Sequence, residues 1–370
     1  MTAHGPRQHH AGGDGTGSDG TDGEWRLFKG DGRARSITFP EAPPWRRFDG
    51  AGSAGPRRER PYLIGRAEAD VVNAALLLRR PLLVTGHPGT GKSSLARAVA
   101  HELSLGRVLH WPVNSRTTLQ EALYRYDAIG RLRETNMRRD PRGGHRARGG
   151  HGTPGGRLTK GGQHTEGGHG APGEEPGIGS YVRLGPLGTA LVPSATPRVL
   201  LVDELDKGDV DLPNDLLNVF EEGEFEIPEL ARLPEDQATV EVMTADPDAW
   251  TEVVRGRVRC SEFPVVVITS NGERDFPPAF LRRCVRLDLP EPDEGRLRAI
   301  ISAHLNADGT DADTDLAGMD ELMRAFLARR ARGELATDQL LNAVFLRRGG
   351  VDLDAEGLLD AVLHRLGRTV

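Results

Sequence analysis

One short segment limits the possible folds of this chain more than any other: a glycine-rich turn between an apolar run and an amphipathic helix. The apolar run over residues 81–85 has the length and composition of a buried strand. After the turn, Leu95, Val99 and Leu103 recur at the spacing of one helix face. The turn itself fits the pattern G-x-x-x-x-G-K-[ST], whose backbone N–H groups converge on phosphate oxygens. Together they predict an α/β domain that binds a nucleotide.

The side chains of the turn have separate predicted tasks. Lys92 would reach the β- and γ-phosphates of ATP as a point charge, and Ser93 would bind Mg²⁺. The neighbouring backbone would hold the phosphates, because a helix N-terminus carries a partial positive charge. The residues predicted to bind the nucleotide at this turn are Gly86, His87, Pro88, Gly89, Thr90, Gly91, Lys92, Ser93 and Ser94.

A second motif consists of four apolar residues, 199–202, followed by Asp203 and Glu204. An acidic residue there lies at the carboxyl end of a strand, where open sheets bind ligands. We predict that Asp203 holds Mg²⁺ through water and that Glu204 polarises the water that attacks the γ-phosphate. The chain contains neither the N-K-x-D signature of guanine binding nor the L-S-G-G-Q signature of transporters. The first absence argues against a GTPase, and the second argues against a transporter ATPase.

Further apolar runs alternate with amphipathic helices. Strand-length runs cover residues 108–111, 265–269 and 285–289, in addition to the two already described. Continuous apolar strands separated by helices are typical of a parallel sheet covered on both faces. We therefore predict an α/β fold with a five-stranded parallel sheet of the P-loop NTPase type. A Thr-x-x-Glu capping box at Thr118 predicts a further helix that runs to about Ile129.

Only helical patterns follow residue 291. These patterns predict a separate small all-α domain over residues 291–370. The predicted helices cover residues 295–305, 319–331, 337–347 and 355–366.

Two stretches are too poor in apolar residues to build a core. Residues 1–60 are predicted to form a disordered tail and a linker, and residues 134–179 a disordered Gly/His-rich insertion. The insertion divides the nucleotide-binding domain predicted over residues 61–290. Its four histidines are spaced by 6, 13 and 5 residues, which fits no metal-ligand template. They are His145, His151, His164 and His169.

In the order of its motifs the chain resembles the AAA+ ATPases, and within them the MoxR-like group. The resemblance covers about residues 62–370 without the insertion and depends on five elements. These are residues 62–65 (Tyr-Leu-Ile-Gly), the turn at residues 86–93, the pair Asp203 and Glu204, residues 269–271 (Thr-Ser-Asn), and residues 278–284 (Pro-Ala-Phe-Leu-Arg-Arg-Cys).

The resemblance implies further site residues. Ile64 and Gly65 would pack against adenine. Asn271 corresponds to sensor 1, whose amide orients the water or touches the γ-phosphate. Arg283 or Arg282 would be the arginine finger that reaches the neighbouring subunit's site. Arg283 is favoured because the Arg-Cys pair matches the ending of the clamp-loader motif.

One family feature is missing from the sequence. The third lid helix usually starts with the sensor-2 arginine, but residues 335–339 contain none. Either a nearby residue such as Arg332 replaces it, or the lid does not contact the γ-phosphate.

The resemblance implies a ring that hydrolyses Mg·ATP to remodel a protein partner. We expect this ring to be a hexamer. The partner would be a separate chain, such as a protein with a von Willebrand factor A domain. The alternative is an ATP-gated switch or assembly module that hydrolyses slowly, as the missing sensor-2 arginine would permit. A third interpretation, a DNA-acting clamp loader or helicase, is weaker because the only arginine-rich stretch, residues 138–148, falls in the insertion.

Composition excludes several other classes. The net charge of −6 gives no basic face for non-specific binding of nucleic acid. No apolar run approaches the ~20 residues of a membrane-spanning helix. The two cysteines, Cys260 and Cys284, are too few for a disulfide scaffold, and no apolar signal follows the first residues. We therefore expect a cytoplasmic protein without membrane insertion.

Overall fold

The fold consists of two β-sheets and a group of carboxyl-terminal helices. The computed structural model describes residues 25–28, 30–46, 62–139, 177–305, 316–333, 335–353 and 357–364. The strands of this part of the chain are β1 (Leu82–Thr85), β2 (Leu109–Pro112), β3 (Tyr124–Tyr126), β4 (Val182–Leu184), β5 (Val199–Asp203), β6 (Glu224–Glu226), β7 (Thr239–Met243), β8 (Trp250–Val254), β9 (Arg257–Arg259), β10 (Val265–Thr269) and β11 (Val285–Asp288). Its helices are α1 (Arg66–Leu78), α2 (Lys92–Glu102), α3 (Leu119–Leu123), α4 (Ala128–Arg139), α5 (Pro186–Ala190), α6 (Leu212–Glu222), α7 (Pro228–Ala231), α8 (Pro278–Leu281), α9 (Glu294–Leu305), α10 (Leu316–Arg330), α11 (Thr337–Arg348) and α12 (Leu358–Val362).

The first sheet confirms the predicted five-stranded parallel sheet. Its strand order is β11-β1-β10-β5-β2, and every neighbouring pair is parallel. In β1, Leu83 pairs with Ile268 of β10 on one side and with Arg286 of β11 on the other. Because β5 and β10 are neighbours, the residues that follow their carboxyl ends meet at one edge of the sheet.

Helices and loops cover both faces of this sheet, which explains its continuous apolar strands. Leu82 and Val84 belong to a buried cluster with residues of α1 and α2, such as Val72 and Leu95. Leu83 points to the opposite face, where α6 and the second sheet pack. Successive side chains of a strand alternate between faces, so the three central strands, β1, β5 and β10, contribute to both cores.

A second sheet was not predicted from the sequence. Its six strands are ordered β3-β4-β7-β8-β9-β6, and all neighbours are antiparallel except β4 and β7. Val182, Val242, Val253 and Val258 bury their side chains in the same cluster as the inner face of the first sheet.

The helix predicted from Thr118 to about Ile129 is interrupted. Thr118 caps α3 through its side chain, as predicted, but the helix ends at Leu123. Residues 124–126 form β3, because the aromatic Tyr124 gains more by pairing and packing in the second sheet than by continuing a helix. The chain then re-enters a helix, α4, at Ala128.

The predicted insertion is shorter at both ends than the sequence indicated. α4 continues to Arg139, so residues 134–139 are helical. A short 3-10 helix, Ile178–Tyr181, precedes β4, and the hydroxyl of Tyr181 donates to Glu134 Oε2 at 2.6 Å. Residues 140–176, with the four histidines, lie outside the described residues.

The carboxyl-terminal helices α9 to α12 surround a third buried cluster that includes Leu297, Phe326 and Leu340. α11 begins at Thr337 as predicted, but its N-cap is Ala336, whose backbone N–H is bound by the Gln339 side chain. None of the described helices is long and apolar enough to span a lipid bilayer.

Part of the predicted linker packs on these helices. Trp25 and Trp45 lie against the third cluster. The indole N–H of Trp45 donates to Asn342 Oδ1 at 3.0 Å, and its ring meets Phe345 edge-on with centroids 5.7 Å apart. In contrast, Phe39 is 76% exposed. The amino-terminal segment is thus attached to α11 through Trp45.

This attachment generates a stability prediction. Trp45→Ala should lower the free energy of unfolding by about 1–3 kcal/mol, because it removes an aromatic pair and a hydrogen bond. Phe39→Ala is the matched control, for which we expect a change within about 0.5 kcal/mol. Urea denaturation followed by circular dichroism measures both. Equal effects of the two variants would contradict the attachment.

Candidate nucleotide-binding site

The glycine-rich turn has a backbone that only glycine adopts easily. Gly89 and Gly91 have φ angles of 77° and 89°. A Cβ atom on Gly89 would lie 2.6 Å from the Cβ of Ala336, and one on Gly91 would lie 3.2 Å from the ring of Tyr62. Gly91 is also the N-cap of α2 and offers no side chain to its first N–H groups. The N–H of Ser94 already donates to the carbonyl of Gly91, and the N–H groups of Lys92 and Ser93 before it are available to an anion.

Lys92 is enclosed by this turn. Its side chain is only 7% exposed, and its ammonium group donates to the carbonyl oxygens of Gly86 at 2.7 Å and His87 at 2.9 Å. Burial lowers the pKa of Lys92, and nearby carboxylates, Asp206 first among them, oppose that shift. The structure therefore places a cation inside the loop predicted to surround phosphates.

Asp203, at the end of β5, collects hydrogen bonds from three other elements. Ser93 Oγ and Thr269 Oγ1 donate to its Oδ1 at 2.6 and 2.7 Å, and His110 Nε2 lies 3.1 Å from Oδ2. Burial alone would raise the pKa of Asp203, but the hydrogen bonds from His110, Ser93 and Thr269 outweigh it and hold the pKa well below its usual range. The carboxylate is thus ionised at neutral pH and touches Ser93, the other predicted metal ligand.

This donor set fits Mg²⁺. A hydroxyl and an ionised carboxylate are hard oxygen ligands, and Mg²⁺ beside phosphates takes only one or two protein ligands. Among the described residues there is no group of three or more histidine, cysteine or acidic side chains that could hold a metal. Ser93 and Asp203 therefore suit a metal that is shared with phosphates rather than one held by protein alone.

Glu204 has an unusual backbone and two side-chain partners. Its φ and ψ of 60° and 50° are left-handed, and its N–H donates to Thr269 Oγ1 at 2.8 Å. Lys207 Nζ lies 2.9 Å from Oε2, and the Asn271 amide donates to Oε1 at 3.3 Å. The hydrogen bond to Glu204 raises the pKa of Lys207. Strained residues of this kind concentrate at functional sites.

The segment predicted to pack against adenine, residues 62–65, adjoins the same turn. Tyr62 and Ile64 are partly buried against the cluster of α1 and α2. The Tyr62 hydroxyl is buried without a hydrogen-bond partner among the described residues, and burial raises the pKa of Tyr62 to about 12. Arg296 of α9 donates to the carbonyl of Leu63 at 2.9 Å and pairs with Glu68 at 3.3 Å. Thus the first carboxyl-terminal helix is fastened to this segment.

The start of α11 also approaches the turn, through the contact between Ala336 and Gly89. An open cleft of about 610 Å³ lies between the turn and the helices α11 and α12. Arg332, the suggested substitute for sensor 2, is exposed. The carboxylate of Glu291 lies 4.0 Å from His87 Nε2 of the turn and 3.4 Å from Arg330 Nε of α10. The partly buried Arg330 therefore already has an acidic partner.

The two candidate arginine fingers lie apart from the turn within their own chain. Arg283 pairs with Glu221 of α6 and donates to the carbonyl of Ala279 at 3.1 Å. The exposed side chain of Arg282 makes no hydrogen bond or ion pair with the described residues. Between the two, Arg282 is the one whose guanidinium is unengaged.

The structure thus brings Lys92, Ser93, Asp203, Glu204 and Asn271 together, while Arg282 and Arg283 lie elsewhere. The sequence analysis assigned no role to four residues that contact this group: His110, Thr269, Asp206 and Lys207. Only Thr269 had a signal that could have revealed it, because it is the hydroxyl residue that ends β10 and begins the Thr-Ser-Asn segment.

Comparison with known proteins gives the following matches. The family model described as AAA domain (dynein-related subfamily) matches residues 81–284. Two structures of NtrX from Brucella abortus are similar. The complex with ATP is 15% identical over 83% of this chain and 57% of that chain, and the complex with ADP is 13% identical over 82% and 55%; the TM-score is 0.39 for each. The chain therefore spans little more than half of either NtrX chain. No curated protein matches the sequence.

The family model spans more than half of the 370 residues. Four of the five strands of the parallel sheet, the glycine-rich turn and the acidic end of β5 lie inside the matched region, and β11 begins directly after it. The chain therefore belongs to the AAA domain family, dynein-related subfamily, and contains an AAA+ ATPase domain with the P-loop fold.

Proposed function

We propose that this site binds Mg·ATP and hydrolyses it to ADP and phosphate. The observation that supports the proposal best is the contact between Ser93 and Asp203 beside the turn that encloses Lys92. These residues combine a phosphate-binding loop, a cation and a pair of metal ligands in one place. Membership in an ATPase family agrees with this chemistry.

Each residue has a task in the proposed reaction. Ser93 and Asp203 would hold the metal, which supplies positive charge to the phosphate oxygens when it is bound. Lys92 would exchange the carbonyl groups of its own turn for the phosphates. Glu204 would accept a proton from the attacking water, and the Asn271 amide, which already donates to Glu204, would orient the carboxylate.

We further propose that the active site is shared between subunits of a ring, which we take to be hexameric. Within one chain, Arg283 is bound to Glu221 and Arg282 is exposed, so neither neutralises charge at the turn of its own chain. A neighbouring subunit's arginine could supply that charge. By its resemblance to the MoxR-like group, the ring would remodel a separate protein, such as one with a von Willebrand factor A domain.

A slow ATP-gated switch is the second candidate, and a specific contact favours it. The carboxylate of Glu204 is paired with Lys207 at 2.9 Å, and this contact would have to break before Glu204 could turn freely toward an attacking water. The missing arginine at residues 335–339 agrees with slow hydrolysis. ATP turnover measured with and without candidate partner proteins separates the candidates, because only a remodelling enzyme should be strongly stimulated by its client.

Replacing Lys92 tests the binding site. Lys92→Ala should weaken ATP binding at least ~10-fold, because hydrogen bonds of a charged group contribute ~1.5–3 kcal/mol. The matched control is Arg97→Ala, which removes an exposed cation from the same helix. Calorimetric titration with ATP measures both variants. Undiminished affinity in Lys92→Ala would show that the nucleotide does not bind at this turn.

Mixing two inactive variants tests the shared site. Glu204→Gln and Arg283→Ala should each lose nearly all turnover, since an arginine finger contributes ~10³–10⁵-fold in known NTPases. In mixed rings some interfaces combine an intact Glu204 with an intact Arg283, and activity should partly return. Arg282→Ala is mixed in parallel, because the exposed Arg282 is the other candidate.

The mixture must be made where subunits exchange, and light scattering checks that rings form. If exchange occurs and neither arginine variant restores turnover with Glu204→Gln, the proposal of a site shared through these arginines fails.

A further inference from the structure

A buried carboxylate that the sequence analysis did not single out joins the two loops that hold Glu204 and Asn271. Asp206 lies in the short 3-10 helix Leu205–Lys207, which directly follows β5 and Glu204. We propose that Asp206 is a positioning residue for ATP hydrolysis, because it fixes the loop after β10 in the place where Asn271 meets Glu204. This inference rests on the proposed function of the site.

The contacts of Asp206 are directed at the backbone of that loop. Its Oδ2 accepts hydrogen bonds from the N–H groups of Asn271 at 2.9 Å and Glu273 at 3.0 Å. Two backbone donors two residues apart define the path of the loop between them. We call these two hydrogen bonds the Asp206 bridge.

The Asp206 bridge works beside a second connection between the same loops. Thr269 Oγ1 donates to Asp203 and accepts from the N–H of Glu204. Thr269 fixes the backbone at Glu204, whereas Asp206 fixes the backbone at Asn271. With the backbone fixed at both Glu204 and Asn271, the side-chain amide of Asn271 donates to Glu204 Oε1 at 3.3 Å.

The location of Asp206 is unfavourable for stability alone. The residue is only 3% exposed, and its Oδ1 is buried without a hydrogen-bond partner among the described residues. A buried acceptor without a partner opposes folding. Of the carboxylates that act on Lys92, Asp206 has the largest effect. A buried carboxylate oxygen left without a partner, on a side chain that joins the loops of Glu204 and Asn271, indicates a role in the site.

Amide hydrogen exchange tests the Asp206 bridge without any need for activity. In Asp206→Ala, the backbone N–H groups of Asn271 and Glu273 should exchange at least ~10-fold faster, while the backbone N–H of Ile268 inside β10 keeps its rate. Asp206→Asn retains an oxygen that can accept both hydrogen bonds and should stay near the wild-type rates. The control is Asp209→Ala, which removes a nearby exposed carboxylate whose Oδ1 binds only the N–H of Asp211 among the described residues.

ATP turnover by the same variants tests the positioning role. In Asp206→Ala, kcat should fall ~10–100-fold, because Glu204 and Asn271 lose their relative orientation. The Kd for ATP should stay within about threefold, since the turn and Lys92 are intact. Asp206→Asn should recover most of the lost kcat, and Asp209→Ala should match the wild type.

The possible outcomes are distinct. Unchanged exchange at Asn271 and Glu273 would overturn the Asp206 bridge. Loss of protection throughout β10, or a parallel loss of kcat and ATP affinity, would assign Asp206 to general stability and overturn the positioning role. If the wild-type ring hydrolyses no ATP with or without partners, the proposed function fails, while the exchange result still decides whether the bridge exists.

Discussion

The ionised carboxylate of Asp203 is the interaction on which the arrangement of the site depends. It accepts hydrogen bonds from Ser93 at the start of α2, from Thr269 at the end of β10 and from His110 in β2. Each donor belongs to a different element, so one carboxylate connects the phosphate-binding turn with two strands of the sheet. The shared hydrogen bonds keep Asp203 charged despite its burial, and a metal bound there needs a charged ligand.

The position of Asp203 at the end of β5 also determines where the residues after it lie. β5 ends at Asp203, and the left-handed backbone of Glu204 turns the chain sharply into the 3-10 helix that contains Asp206. That turn brings Asp206 under the loop after β10 and places Glu204 against Asn271. A site built on strand ends can be ordered before the nucleotide arrives, which favours catalysis through fixed geometry. The ion pair between Glu204 and Lys207 holds the carboxylate away from this role until the contact breaks, which is the observation behind the proposed slow switch.

Sequence patterns predicted the parts of the protein that depend on short-range order. The central strands of the first sheet are apolar on both faces, and the glycine turn is a local motif, so both were visible without knowledge of strand pairing. The second sheet was not, because its strands are short and two of its antiparallel pairs, β3 with β4 and β6 with β9, join segments far apart in sequence. The residues that contact the predicted site residues could not be predicted for the same reason. Asp206 and His110 gain their roles only when β2, β5 and β10 are neighbours, and Trp45 gains its role only when the linker meets α11.

Magnesium-dependent binding of ATP tests the central claim most directly. Calorimetric titrations of the wild type and of Asp203→Asn should be made with Mg²⁺ and with a chelator in its place. If Asp203 and Ser93 hold a metal that is shared with the phosphates, the wild type should bind ATP more tightly with Mg²⁺, and Asp203→Asn should bind ATP with little difference between the two conditions. An equal effect of Mg²⁺ on both proteins would contradict the account, because the carboxylate at its centre would then have no part in binding the metal.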